Sequence, residues 1–343
     1  MPDDIASEKE TWVLVGAVGW GKTCLIDPVK ITSEFGEDVC NDVTGIRNFL
    51  VLFDRTTDPG HVFDVLQDRH TRFTPTATYG EVRSHSFQIT VRMTDAIKPR
   101  INKDINLIDG PGGALLPAGR QVSREDEQLR GEYLEKVRSA TTLLICLPSP
   151  GTSGNEADAV ASGFDFEAQN LIEILNDGMR RKMPSLRRIA VCLTKYEARF
   201  RILGPHARNK ALDPAEIVET WRRLNQQAMI LNALKNVSED VQETGNAPEI
   251  VVFPVSFYGF INGTGHANFE PFSGLPVILP FRPDTTITGT PVKLYPSSFT
   301  FEAVNRLWRP FNLMAPFAYL TTGSREGLLC LEIDELHRRL RTP

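Results

Sequence analysis

Nine consecutive residues carry the plainest chemistry in the chain: Gly16, Ala17, Val18, Gly19, Trp20, Gly21, Lys22, Thr23 and Cys24. Glycine has no Cβ, so closely spaced glycines let successive backbone N–H groups turn inward around an anion. A cation and a hydroxyl follow at once. In the pattern G-x-x-x-x-G-K-[ST], the lysine reaches β- and γ-phosphates and the threonine hydroxyl holds Mg²⁺. The stretch follows the apolar run 11–16 and opens a helix near Gly21. The positive end of that helix therefore points at the same place. These nine residues are expected to hold a polyphosphate. Lys22 is also expected to be catalytic, because it neutralises charge on a transferring phosphoryl group.

Three further stretches end apolar runs in polar residues. "NLIDGPGG" (106–113) places Asp109 at a strand tip and Gly112 three residues on. The carboxylate suits a metal's water shell, and the glycine N–H suits a γ-phosphate. "CLTKYE" (192–197) ends in Thr194, Lys195, Tyr196 and Glu197, and resembles the guanine-reading motif [NT]-K-x-D of GTPases. A carboxylate there accepts from guanine N1–H and the 2-amino group. Adenine would leave the same carboxylate unpaired. Glu197 keeps the charge on a side chain one methylene longer than aspartate. "VVFPVSFYG" (251–259) supplies Ser256 and Phe257, and resembles the short serine loop that braces the base.

The four motifs occur in the order found in Ras-like and translation-factor-like GTPases. Residues 11–258 resemble this P-loop (TRAFAC) class in a divergent form, similar to bacterial double-GTPase or conflict-system proteins that carry long additions. The resemblance implies an α/β fold: a P-loop NTPase three-layer arrangement with a mostly parallel sheet, a helical insertion at about 35–70 and a C-terminal extension over 259–343. It implies GTP or GDP with Mg²⁺ as ligands, and a GTP-dependent switch located in the cytoplasm. A threonine should close over the metal. Thr76, after Pro75 in "RFTPTATYGEV" (72–82), is the first choice, with Thr78 and Thr74 remaining open. Thr23, Thr76 and Asp109 then form the metal set, and Lys22 and Thr76 the catalytic pair. Where relatives carry a water-orienting glutamine after D-x-x-G, this chain has Gly113, and Val18 stands nearest the γ-phosphate. Slow intrinsic hydrolysis follows. A nucleotide-binding scaffold without turnover (a pseudoGTPase) is the alternative, and an ATPase or small-molecule kinase a further one.

The elements needed to position these residues alternate along the chain. Strands are expected at 11–16, 84–93, 104–110, 141–147, 186–194 and 249–256. Helices are expected at about 122–139 with Ser123 as N-cap, at 164–182, and from Asp213-Pro214 to about 235. Several strands are apolar on both faces, which is the mark of a parallel sheet covered on two sides. Residues 45–54 and 61–69 carry helix-like spacing. A Gly/Pro-rich segment covers 259–298, followed by helices at about 300–315 and 324–340. The aromatic and aliphatic stripe from Phe299 to Phe317 reads as core, with partner docking as the other reading.

Composition narrows the classes. In 343 residues the apolar fraction is 41%, the charged fraction 24% and the formal net charge −5, which fits an ordinary globular chain. Without a dense basic block, phosphate-driven binding to nucleic acid is not expected; Arg180, Arg181, Lys182, Arg187 and Arg188 read as a solvated rim. Five scattered cysteines without a CxxC pair suit a reducing compartment. The start "MPDDIASEKE" is too polar for a signal peptide, and no apolar run has the roughly 18 residues a membrane span needs. Guanine nucleotide is the expected small-molecule partner. A partner protein or self-association is expected through the extension.

Overall fold

The structure, a computed structural model, describes residues 9–17, 20–22, 24–26, 46–53, 82–93, 100–110, 124–150, 168–176, 183, 185–224, 226–240, 247–268 and 308–342. The predicted helix at 61–69, the segment 72–81, Ser123, Gly112, Gly113, Val18, Gly19, Thr23 and most of the Gly/Pro-rich segment lie outside the described residues.

Ten strands are described: β1 (Glu10–Val15), β2 (Ile46–Phe53), β3 (Arg83–Met93), β4 (Ile101–Asp109), β5 (Thr142–Pro148), β6 (Arg188–Thr194), β7 (Glu249–Pro254), β8 (Ser256–Ile261), β9 (Trp308–Phe311) and β10 (Leu331–Glu332). Eight form one sheet in the order β10-β7-β6-β5-β1-β4-β3-β2, while β8 and β9 form a separate antiparallel ribbon. The central strands β4, β1, β5, β6 and β7 run parallel. The edge pairings, β2 on β3, β3 on β4 and β10 on β7, are antiparallel.

β5 is buried along its whole length, as is β6 after its first residue. A strand apolar on both faces must be covered on both, so the sheet is the middle of three layers. The fold is the α/β, mostly parallel, layered arrangement expected of the sequence.

The described helices are α1 (Arg124–Arg138), α2 (Ala207–Ala211), α3 (Pro214–Arg222), α4 (Gln227–Asp240), α5 (Met314–Thr322) and α6 (Ile333–Arg341), with a 3-10 helix at Tyr196–His206 and a helical stretch over 168–176. Asp213 caps α3, accepting from Ala215 N at 2.9 Å, and Pro214 takes the first helical position. There its missing N–H costs nothing. α5 is buried all round and packs on the sheet, with Phe317 6.2 Å from Trp12. α6 packs against α3, α4, β7 and β10, burying Ile333 and Leu336.

Four local expectations are corrected. Residues 46–53 are strand β2 where the spacing suggested a helix. Phe49 and Val51 face inward while Leu52 is exposed, a period of two, and β3 supplies the pairing; in a short apolar run tertiary pairing decides between the two states. The single helix expected from 214 to 235 is two helices, because Gln226 adopts a left-handed backbone with φ 54°. The strand expected over 249–256 ends at Pro254, and Ser256 opens β8. Residues 308–311 form β9 where a helix was expected. Asn312 then turns the chain with φ 55°, and its amide donates to Pro254 O at 3.0 Å and Leu329 O at 2.8 Å. α5 starts only after that turn, and its Pro316 sits in the first turn, where no helical N–H is needed. Within the stripe, Phe311, Leu313, Met314 and Phe317 are core residues.

Candidate functional site

The parallel strands bring their carboxyl ends to one edge, where open α/β sheets place their ligands. β1 ends at Val15 and leads into Gly16 and Ala17. β4 ends at Asp109, in register with Leu14. β6 ends at Thr194, beside Pro148 of β5. Residues separated by more than 80 positions in sequence thus meet at one edge for topological reasons alone.

Lys22 opens the helical turn after the loop and is 9% exposed. Its Nζ donates to the Gly16 carbonyl at 2.5 Å and the Ala17 carbonyl at 3.2 Å. The ammonium therefore rests against the two residues that follow β1. Gly16 lies close to the sheet: a Cβ there would stand 3.1 Å from Cys146 Cβ and 3.3 Å from Lys22 Cγ. Gly21 has φ +90°, a conformation that L side chains rarely adopt. Trp20 is buried, its N–H donating to Ala17 O at 3.3 Å. Cys24 is half-buried.

Thr194 clamps this loop. Its hydroxyl donates to the Trp20 carbonyl at 2.6 Å and lies 3.4 Å from the Leu147 carbonyl. A Cβ on Gly21 would lie 3.1 Å from the Thr194 side chain. The backbone continues the link, with Ser149 N donating to Thr194 O at 2.8 Å. Thr194, the first residue of the turn after β6, is thus bonded to the glycine-rich stretch 174 residues away in sequence.

Lys195 takes the left-handed conformation, φ 54° and ψ 32°, at the start of the 3-10 helix. Its side chain is exposed, and the bend turns Tyr196 and Glu197 inward. Glu197 is 1% exposed. The Ser256 hydroxyl hydrogen-bonds its carboxylate, and Ser256 Oγ in turn accepts from Gly259 N at 2.8 Å. Burial pushes the Glu197 carboxyl up to about 7; Ser256, the residue's own backbone, Lys195 and Arg201 pull the other way. Phe257 is buried edge-on against Tyr258 at 5.2 Å. The 3-10 helix is anchored by Arg199, whose guanidinium pairs with Glu216 at 2.5 Å and donates to Thr220 Oγ1 at 2.6 Å.

Asp109 lies at the end of β4 between β1 and β3. Its charge and that of Lys22 both bear on Cys146: burial raises the thiol's pKa, Lys22 lowers it, and Asp109 and Cys24 raise it. Of the expected metal set, Asp109 alone lies within the described residues; Thr23 and Thr76 lie outside them, as does Gly112. Among the described residues no group of three or more His, Cys, Asp or Glu could hold a metal ion by itself.

Two supporting residues were not legible in the sequence. Tyr133 of α1 donates its hydroxyl to Leu14 O at 2.9 Å. Burial first, then Asp109 and Cys146, raise its pKa. Its ring lies 2.2 Å from where a Cβ on Gly110 would be, which explains the glycine after Asp109. Cys146 lies under Gly16. Neither has a motif signal, because each acts through a contact between distant elements.

No family model matches the chain, and no curated protein matches it by sequence. Among solved structures, the cytosolic domain of the T. maritima FeoB iron transporter in apo form is similar at 15% identity and a TM-score of 0.25, over 72% of this chain. The chain spans 57% of the length of that structure. A likeness of that size adds nothing to what the strand order already shows. No helix among the described residues is long and apolar enough to cross a membrane.

Proposed function

We propose that the protein binds guanine nucleotide with Mg²⁺ at this sheet edge and works as a GTP-dependent switch with slow hydrolysis. The observation that carries this reading is the Thr194–Trp20 hydrogen bond at 2.6 Å. It joins a stretch whose sequence suits a polyphosphate to a strand end whose next turn buries a carboxylate and its serine. A polyphosphate site and a purine-reading acid at this spacing suit one nucleoside di- or triphosphate.

The residues fit the ligand on their own terms. Lys22 rests on the Gly16 and Ala17 carbonyls, and a phosphate gives it a stronger, charge-assisted partner in place of two neutral ones. Glu197 has a carboxylate oxygen, Oε2, with no hydrogen-bond partner among the described residues. Guanine N1–H and the 2-amino group supply the missing donors. Mg²⁺, when bound, would supply charge neutralisation to the phosphates. Asp109, Thr23 and Thr76 are proposed to hold it, with Gly112 donating its N–H to the γ-phosphate. Lys22 would stabilise charge on the γ-phosphoryl oxygens as the bond to the β-phosphate loosens. Ordering of segments near Thr76 and Gly112 by that phosphate, and their release on its loss, is the proposed switch.

Gly113 and Val18 favour a second reading, a scaffold that holds nucleotide without turning it over. Phosphate release from GTP, compared with Lys22→Ala, separates the two. The switch predicts slow release that the variant abolishes; equal release by both leaves the scaffold. Chromatography of nucleotide freed by heat denaturation tests the base. Guanine is expected, and adenine would overturn the guanine reading.

A further inference from the structure

A carboxylate inside a protein stays ionised only if donors or cations meet its oxygens. Glu197 is 1% exposed. The donors that reach it are the Ser256 hydroxyl and its own backbone N–H, and Oε2 has no hydrogen-bond partner among the described residues. The charges that act on it are Lys195, the exposed N-cap of the 3-10 helix, and Arg201 within that helix. β8, packed against the 3-10 helix, contributes Ser256 and the phenol of Tyr258 but no charged side chain. α2, packed on the other part of that helix, carries Arg208 and Lys210, and Lys210 is taken up by Glu216 at 2.7 Å and Asp213 at 3.3 Å. Arg199 is taken up by Glu216 at 2.5 Å.

Resting on the guanine-nucleotide reading, we propose that Glu197 is a proton-exchanging base selector: it holds a proton in the nucleotide-free protein and releases it to solvent when guanine enters. The balance is simple. The O–H bond of the Glu197 carboxylic acid breaks, its electron pair stays on the carboxylate, and the proton goes to bulk water. Guanine keeps N1–H and its amino protons and donates them to the two carboxylate oxygens. The acid form, by contrast, meets N1–H with its own O–H, donor against donor. The position of the carboxyl group, pushed up to about 7 by burial, puts the exchange in the physiological range. A solvated aspartate at this place, with its pKa near 4, would already be ionised throughout that range.

Linkage fixes the sign. Binding that releases a proton weakens as pH falls below the pKa of the free site, by roughly tenfold per pH unit, and is flat well above it. The nucleotide's terminal phosphate also titrates, near pH 6, so the comparison must be with Glu197→Gln, which keeps the phosphate contribution and removes the acid. GDP with Mg²⁺ is titrated calorimetrically from about pH 5.5 to 8.5 in two buffers of different ionisation heat. The wild type is expected to lose roughly fivefold more affinity than the variant between pH 7 and 6, and to show buffer-dependent heat for up to one released proton. Parallel pH profiles for the two proteins would overturn the selector while leaving the guanine reading intact. Failure of GDP to bind at any pH would overturn both. If the variant does not fold, carbon-13 labelling of glutamate carboxyl groups in the wild type decides. One glutamate titrating near neutrality in the free protein and staying ionised with GDP supports the proposal; its ionisation in both states contradicts it.

Discussion

At the scale of single residues, Glu197 is where folding and recognition pull against each other. An acid whose pKa rises from 4.5 unfolded to about 7 folded binds its proton more tightly in the native state. Its contribution to stability is therefore full below about pH 4.5 and is lost as pH rises through about 7. Above that range the ionised side chain costs about 3 kcal/mol. Glu197→Gln is accordingly expected to raise the melting temperature of the nucleotide-free protein at pH 8 and to leave it nearly unchanged at pH 5; an equal change at both values would place the carboxyl's ordinary pKa in the folded state. Tyr133 works in the opposite sense. Its buried hydroxyl satisfies Leu14 O at 2.9 Å, so Tyr133→Phe leaves that carbonyl without this donor. It should cost about 1–3 kcal/mol in urea unfolding, and a change below a few tenths would show that another donor serves the carbonyl. Glu197, Thr194 and Lys22 were legible as chemistry because motif spacing is a local property. Tyr133 and Cys146 were not, since their roles depend on which strand ends the sheet brings together.

At the scale of elements, the glycine-rich stretch after β1 and the turn after β6 are joined through Thr194. Thr194→Val keeps the shape and removes the hydroxyl that donates to the buried Trp20 carbonyl. A loss of about 1–2 kcal/mol of stability is expected, together with weaker nucleotide binding. A stability loss with unchanged affinity would show that the clamp serves folding alone. The strands at the centre of the sheet were readable because an apolar run with both faces buried leaves little choice of partner. β2 and β9 escape the sequence pattern because each lies at the margin of a sheet, where pairing decides between helix and strand. The break at Gln226 and the turn at Asn312 were hidden for a different reason: a left-handed residue other than glycine leaves no mark in composition.

At the scale of the whole molecule, the C-terminal extension completes the sheet. β10 closes the β7 edge, with Leu331 opposite Val252, and α6 returns over α3, where Arg222 donates to Arg339 O at 3.2 Å and Thr342 O at 3.0 Å. Leu336 is fully buried there. Leu336→Ala is expected to cost about 2–5 kcal/mol, read as a lowered denaturant midpoint for the entire protein; a separate early transition would mean the extension unfolds by itself. The central claim, that one sheet edge holds a polyphosphate and chooses guanine, is tested most directly by the melting temperature with GDP, GTP and ATP at equal concentration, since a ligand bound only by the folded state stabilises it by RT ln(1 + [L]/Kd), more for the tighter ligand. The account predicts a clear rise with GDP and GTP that Lys22→Ala removes, and little rise with ATP. A rise with ATP equal to or larger than that with GTP would contradict it.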